Sequence, residues 1–368
     1  MSHSDAKLHR LLMDRSDRDP YALAYGPVRY GALAVRAARV AGTLREAGVR
    51  WGDCVAVALD GCVEYLVAYY GTLMAGATVV PLSPEIRGAS LARVLDHCGA
   101  SAVIAAGPTL DRLAGHECLP PRLRVALHVG TPRHAFSPVI DSIDFAVAEK
   151  SGREIFDTGA QGSALACVSY TSGTTGAPKG VMLSHDNLAS NVRSIVDYLD
   201  LGPTDRLAMV LPYHYVYGNS VLHTHIAAGG SIVDAGSTAF PVRVLETIQD
   251  ERCTGLSGVP STFASLVRIE DLDRFDLGSL RYLTQAGGAM TPSLTRRVRA
   301  IFPEAKLFVM YGQTEAGARL SYLPPTIWTA RSDRSASRSL ASPSPSSIPP
   351  ERRSRPGPSA RSSPRGPT

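Results

Sequence analysis

Between positions 170 and 181 the chain reads Tyr170-Thr-Ser-Gly-Thr-Thr-Gly-Ala-Pro-Lys-Gly-Val181. Three glycines, four hydroxyls and one lysine fall within this stretch, directly after the apolar run Leu165-Ala-Cys-Val168. Glycine bends the backbone into left-handed conformations and turns successive N–H groups toward one point. Hydroxyls add donors and the lysine ammonium adds positive charge, so the composition suits a polyphosphate. The spacing differs from G-x-x-x-x-G-K-[ST], because Lys179 is followed by Gly180 and Val181 rather than by Ser or Thr. Val181-Met-Leu183 reads as a strand, which predicts a loop joining two strands instead of one opening a helix.

Three more segments carry candidate chemistry. Tyr311-Gly-Gln-Thr-Glu315 puts a carboxylate and a hydroxyl next to an aromatic. Gly287-Gly-Ala-Met290 follows the apolar Leu280-Arg-Tyr-Leu283. Leu211-Pro-Tyr-His-Tyr-Val-Tyr-Gly218 spaces Tyr213, Tyr215 and Tyr217 two apart, as on one face of a strand. With the loop at 170–181, these resemble the signature elements of the adenylate-forming superfamily, which includes acyl-CoA synthetases, luciferases and stand-alone adenylation domains. The loop fits [Y/F]-T-S-G-[T/S]-T-G-x-P-K-G at all fixed positions, and Tyr311–Glu315 fits Y-G-x-T-E. Gly48-Val-Arg-Trp-Gly-Asp-Cys-Val55 and Leu73-Met-Ala-Gly-Ala-Thr-Val-Val-Pro-Leu82 fit the family's first half. The resemblance covers about residues 8 to 325 and then stops.

The resemblance implies an AMP-forming carboxylate–CoA ligase. A carboxylate attacks the α-phosphorus of ATP, and the acyl group then passes to a thiol, usually that of CoA. It implies that Thr171, Ser172, Gly173, Thr174, Thr175, Gly176 and Lys179 hold the ATP phosphates. Glu315 is implied as the Mg²⁺ ligand, and Thr314 as the group that reaches the α-phosphate. Gly287, Gly288, Ala289, Tyr311 and Gly312 are implied around the adenine. Tyr215, Tyr217 and Gly218 are implied at the acyl pocket, with Val259 to Phe263 lining the same space. The family carries a His in that last motif. Aligned on Pro212 and Gly218, its place falls on Tyr215, and His214 comes one residue early.

Two departures bear on activity. No T-G-D acid follows Tyr311–Glu315, and no hinge or C-terminal lysine is recognisable. The expectation is therefore an incomplete N-terminal domain, weak or inactive as a ligase by itself. Loading of a carrier protein in place of CoA is an alternative, as is a non-catalytic nucleotide-binding fragment.

The elements that must position these residues are legible from periodicity. Leu33, Ala37, Val40, Ala41 and Leu44 mark a helix over 30–47 that stops at Gly48. Helices are expected over 62–75, 89–97, 186–199, 219–228 and 241–251, with Ser184 or Asp186 as N-cap of the fourth. Strands are expected at 54–59, 78–82, 102–105, 206–211, 231–234, 255–259 and 306–310. Alternation of the two predicts an α/β fold of layered, mostly parallel sheets with flanking helices. Residues 107–160 read as irregular.

Composition narrows the rest. A chain of 368 residues, 44% hydrophobic, can bury a large core. Its six cysteines are scattered, which argues against a zinc site or disulfide framework and suits reduced thiols in a cytoplasmic protein. No signal peptide and no membrane-length apolar run is visible. The net charge of +5 comes from residues 326–368, which hold eight arginines against Asp333 and Glu351. The remainder is close to neutral, so nucleic acid is not an expected partner. That last segment, rich in Ser, Arg and Pro, is expected to be disordered and to arise from a shifted reading frame. The expected division is 1–325 for the adenylation domain and 326–368 for the tail.

Overall fold

The computed structural model describes residues 7–116, 119–134, 139–159, 161–171 and 178–325. The chain divides after Pro325, and everything beyond lies outside the described residues. Two sheets organise the rest. The first has seven strands in the order β7 (Asp141–Asp144), β6 (Val125–Val129), β5 (Ala100–Ala106), β3 (Cys54–Ala58), β4 (Thr78–Pro81), β8 (Leu165–Thr171), β9 (Lys179–Ser184). The second has eight, in the order β15 (Ser321–Leu323), β14 (Lys306–Tyr311), β13 (Tyr282–Gln285), β12 (Gly255–Gly258), β10 (Arg206–Met209), β11 (Ser231–Asp234), β1 (Leu23–Tyr25), β2 (Val28–Arg29). Neighbours pair in parallel except β8–β9, β14–β15 and β1–β2. The helices are α1 (Arg10–Arg18), α2 (Tyr30–Glu46), α3 (Val63–Met74), α4 (Gly88–His97), α5 (Gly107–Ala114), α6 (Phe145–Ser151), α7 (His185–Leu199), α8 (Val216–Ala228), α9 (Pro241–Asp250), α10 (Pro260–Leu266) and α11 (Pro292–Ile301).

Strand alternation sorts side chains into separate cores. Val55 and Val57 of β3 join a central cluster with α1, α2, α3 and α8, while Ala56 and Ala58 face the cluster built on α4 and α5. On β10, Leu207 and Met209 reach the central cluster, and Ala208 faces α9, α10 and α11. The central helices thus lie between the two sheets, which explains why β3, β4 and β5 are apolar on both faces.

The predicted elements recur within a few residues of their expected bounds. Residues 107–160 are one exception: they fold into α5, β6, β7 and α6. Their sequence looked irregular because β7 is a short, largely exposed edge strand, Asp-Ser-Ile-Asp, with little hydrophobic signal. Ser184 is the N-cap of α7. Its Oγ accepts from Asn187 N at 3.1 Å while Asn187 Oδ1 accepts from Ser184 N at 3.1 Å, a reciprocal capping box.

The far end of α7 is held by a buried carboxylate. Asp205 accepts from Arg281 Nη2 at 2.7 Å and Nε at 3.2 Å, from Thr254 Oγ1 at 2.8 Å and from Gly202 N at 2.8 Å. Arg281 also donates to the Leu199 and Asp200 carbonyls. These bonds hold Asp205 below the usual carboxylate range against the cost of burial. Replacing Asp205 by Ala strands Arg281 and is expected to lower stability by about 3 kcal/mol, measured by urea unfolding.

Burial also keeps several histidines neutral. His9, His185 and His225 are pushed down to about 4 and His223 to about 3, mainly by desolvation. The unfolded chain takes up these protons near 6.5 and the folded chain does not, so stability is full above 6.5 and is lost as pH falls toward 4. Thermal melts across this window are expected to show that loss, with a shallower slope in His9→Gln.

Candidate functional site

The loop at 170–181 rises from an antiparallel hairpin. Thr171 at the end of β8 pairs with Lys179 at the start of β9. Strand–loop–strand is the arrangement expected from Val181–Leu183. Lys179 is exposed and Thr171 half-buried. Ser172, Gly173, Thr174, Thr175 and Gly176 lie outside the described residues. Tyr170, which opens the motif, has its OH 2.6 Å from His97 Nδ1.

The second group lies at the carboxyl ends of adjacent strands in the other sheet, where ligands of open α/β folds gather. β14 delivers Tyr311, which is 62% exposed. The chain then doubles back through a 3-10 turn at Thr314–Ala316 and returns as β15, with Leu320 N donating to Tyr311 O at 2.8 Å. Gly312 is where it doubles back: a Cβ there would lie 1.9 Å from the Ala318 carbonyl oxygen. The glycine is thus required by close approach of the chain to itself. Glu315 is exposed and has no ion-pair partner among the described residues. The Thr314–Ala316 turn packs against β9, so Glu315 and Lys179 belong to elements in contact. Asn191 of α7 completes the tie, its Nδ2 donating to Arg319 O at 2.9 Å.

Beside it, β13 ends in the buried Gln285, whose Nε2 donates to Ala286 O at 3.1 Å and Gly288 O at 2.8 Å. This amide shapes the turn in which Gly287 takes φ +81°. Gly287, Gly288 and Ala289 are exposed, and the first two approach Val259 and Pro260. The turn offers open backbone at a strand end next to the one that carries Tyr311.

The tyrosine-rich segment departs from the strand expected of it. Tyr213 lies in the turn before α8, Tyr215 is the N-cap of α8, and Tyr217 and Gly218 are in its first turn. Only Tyr217 is on the helix, so the three tyrosines do not share a strand face. Tyr213 is buried, Tyr215 is 63% exposed, and Tyr217 points its OH at Thr284, 2.9 Å from Oγ1. The Arg319 guanidinium lies over the Tyr217 ring, 5.3 Å from its centre. The turn also swings His214 inward, so it is this His, and not residue 215, that lines a cavity between α8 and the first sheet. The cavity measures about 20 Å³ and is walled by α8, β8, β9 and α7, with Ala318 at one side. Asn219, Ser220 and His223 of α8 line it and were not singled out from the sequence. Their spacing, N-S-x-x-H, was the available signal, because positions three and four apart share one helix face.

A family described as AMP-binding enzyme matches residues 15–345. 4-Coumarate-CoA ligase 1 of Narcissus pseudonarcissus is 30% identical over 299 residues, covering 79% of this chain and 53% of that protein. Tyrocidine synthase 3 of Brevibacillus parabrevis is 28% identical over 84% of this chain and 4% of its own length. The N-terminal domain of FACL13 from Mycobacterium tuberculosis superposes with a TM-score of 0.79 at 22% identity, over 89% of this chain and 80% of that one. This chain spans about half the length of the 4-coumarate-CoA ligases it matches.

Gly312→Ala is expected to displace the turn carrying Thr314 and Glu315. Hydrogen exchange should quicken over residues 311–320 and the melt should fall by several degrees, in line with a cost of about 1–3 kcal/mol for overpacking.

Proposed function

We propose, from the premise that this chain belongs to the AMP-binding enzyme family, that it is the nucleotide- and acyl-binding part of an AMP-forming carboxylate–CoA ligase. The observation that carries the reading is the contact between the β8–β9 hairpin and the Thr314–Ala316 turn. Lys179 at the base of the loop and Glu315, which has no ion-pair partner among the described residues, thus belong to elements in contact.

In this reading Lys179 holds polyphosphate charge at the mouth of the hairpin, and Thr171 offers a hydroxyl beside it. Thr314 places a second hydroxyl toward the phosphorus under attack. The open backbone of Gly287, Gly288 and Ala289, with Tyr311 nearby, receives the adenine. The protein's task is to hold carboxylate and phosphorus in line while offsetting developing charge. Glu315 suits Mg²⁺. That cation takes one or two carboxylates together with substrate phosphates and water, and no cluster of three or more acidic, His or Cys side chains occurs among the described residues. Bound there, the ion would neutralise phosphate charge. The acyl portion would enter the space bounded by α8, with His214 at its edge.

CoA is the acceptor favoured by the likeness to 4-coumarate-CoA ligases. A second reading, loading of a carrier protein, is supported by the match to tyrocidine synthase 3. Offering CoA and a holo-carrier protein side by side separates the two.

Calorimetric titration of the chain with ATP and Mg²⁺ tests the reading. Lys179→Ala is expected to weaken ATP binding about tenfold to a hundredfold, the range for lost charge-assisted hydrogen bonds. Glu315→Gln is expected to remove most of the Mg²⁺ dependence. If both variants bind ATP as the unaltered chain does, the assignment is wrong.

A further inference from the structure

We propose that Cys54 and Cys98 form an oxidisable thiol pair, a modification site at which a hydroperoxide closes a disulfide between the start of β3 and the end of α4. The inference stands independently of the function proposed above.

The fold brings the two residues together. Cys54 opens β3 and pairs with Ala100 of β5. Cys98 is the C-cap of α4, two residues before Ala100, and Gly99 between them takes φ +60°. That left-handed residue turns the chain from helix into strand. Both cysteines pack on the apolar cluster built on α4 and α5, as does Tyr170 of β8. A side-chain hydrogen bond links the two thiols. Cys98 Sγ also lies 3.6 Å from Leu95 O, so its proton has two acceptors in reach. Such a pair differs from a disulfide by two protons, two electrons and a short approach of the sulfurs.

The other described cysteines lack these features. Desolvation pushes Cys62, Cys167 and Cys253 up to about 12. The hydrogen bond from Cys98 instead holds Cys54 below the usual thiol range, while Cys98 itself is pushed up by the same bond. Cys54 is therefore the attacking thiol and Cys98 the resolving one. Both are half-buried, whereas Cys167 and Cys253 are buried. Cys98 lines a polar surface cavity of about 430 Å³ together with Asp96, His97 and Arg122. A space of that size admits hydrogen peroxide along with water.

The Cys54 thiolate attacks one oxygen of hydrogen peroxide and the O–O bond breaks. This gives a sulfenic acid and a hydroxide, which takes the Cys98 proton and becomes water. The Cys98 sulfur then attacks the sulfenic sulfur and the S–O bond breaks. The departing hydroxide takes up the proton that Cys54 first gave to solvent. Two thiols and one peroxide thus yield one disulfide and two waters. Closure reaches the glycine-rich loop through Tyr170. Its OH is 2.6 Å from His97 Nδ1 and interacts with Cys98 as well, and Thr171 follows it on β8. Drawing Cys98 toward Cys54 pulls the end of α4 away from that ring.

The test treats residues 1–368, reduced and then freed of reductant, with equimolar hydrogen peroxide. Peptide mapping should find Cys54 joined to Cys98 in most of the protein, with Cys62, Cys167 and Cys253 still free. In Cys98→Ser the sulfenic acid has no partner and should be trapped on Cys54 by dimedone. In Cys54→Ser the oxidation of Cys98 should be about tenfold slower, because the thiol that remains is the less acidic one. Hydrogen exchange over residues 168–171 and 179–181 should quicken in the oxidised chain and recover on reduction. Free Cys54 and Cys98 after treatment, or Cys98 joined to another cysteine, overturns the inference. Mapping of the unaltered chain decides this even if a variant fails to fold. Dimedone on Cys98 in preference to Cys54 overturns the assigned roles. A disulfide with unchanged exchange beside Tyr170 overturns the link to the loop.

Discussion

Helix α7 is the tie on which the arrangement depends. It starts one residue after β9, at the Ser184 cap, and so inherits its position from the strand that carries Lys179. Ile195 and Leu199 then pack on Phe308 and Met310 of β14, the strand that delivers Tyr311. Asn191 grips the Arg319 carbonyl beyond the Glu315 turn, and the Arg281–Asp205 pair holds the helix's last carbonyls to the second sheet. One helix thereby fixes the hairpin of one sheet relative to the carboxyl edge of the other. In the proposed function these are the groups that meet on a single nucleotide, and an error of an ångström there would separate them.

The same requirement explains the polar groups admitted to the interior. His225 and His223 lie two residues apart on α8, both buried and both pushed to low pKa by desolvation. His225 is closed on both sides, its Nδ1 2.7 Å from Val221 O and its Nε2 2.6 Å from Tyr282 OH. That residue is structural. His223 is bonded through Nδ1 to Tyr70 OH, and its Nε2 has no hydrogen-bond partner among the described residues. Residue type and burial do not separate the two; the partners of the second nitrogen do. Helix geometry makes the difference, because a two-residue step carries a side chain roughly halfway around the axis.

Much of this was legible in the sequence, and the misses have physical causes. Apolar periodicity marked α2, α3 and the strands between them because these pack on both faces and carry long hydrophobic runs. The hairpin at Lys179 was legible because Val181-Met-Leu183, directly after the glycine-rich loop, reads as a short apolar strand. Residues 107–160 were opaque because their edge strand β7 is short and largely exposed, and pairing rather than composition makes it a strand. The tyrosine segment misled because a two-residue alternation of aromatics has the same pattern whether the backbone extends or coils into a helix. Packing of Tyr217 against Thr284 and Arg319 decided between them, and nothing local encodes that. His214 was counted one place from its expected position for the same reason, since register through a turn is set by the turn. The polar lining of the cavity was hidden in a helix that reads as uniformly buried; only the facing elements reveal which polar atoms lack partners.

The hairpin also constrains how charge is handled. Where a phosphate loop opens a helix, the helix N-terminus supplies roughly half a positive charge and a set of free N–H groups. Here the segment after the loop is β9, a strand whose dipoles alternate and nearly cancel. In the proposed function that source of field is missing, and the charge comes from side chains and ions. Lys179 is the one cation in the motif, and Glu315 is the carboxylate of the adjoining turn. A point charge on a four-carbon stem is mobile and strongly hydrated, so its partner groups must be placed by the scaffold. This returns the demand to backbone geometry: Gly312 lets the Glu315 turn fold tightly against β14, and the turn's contact with β9 sets where that carboxylate lies relative to the lysine. In the proposed function, a phosphate site borne on a strand trades the built-in field of a helix for dependence on the fit between two sheets.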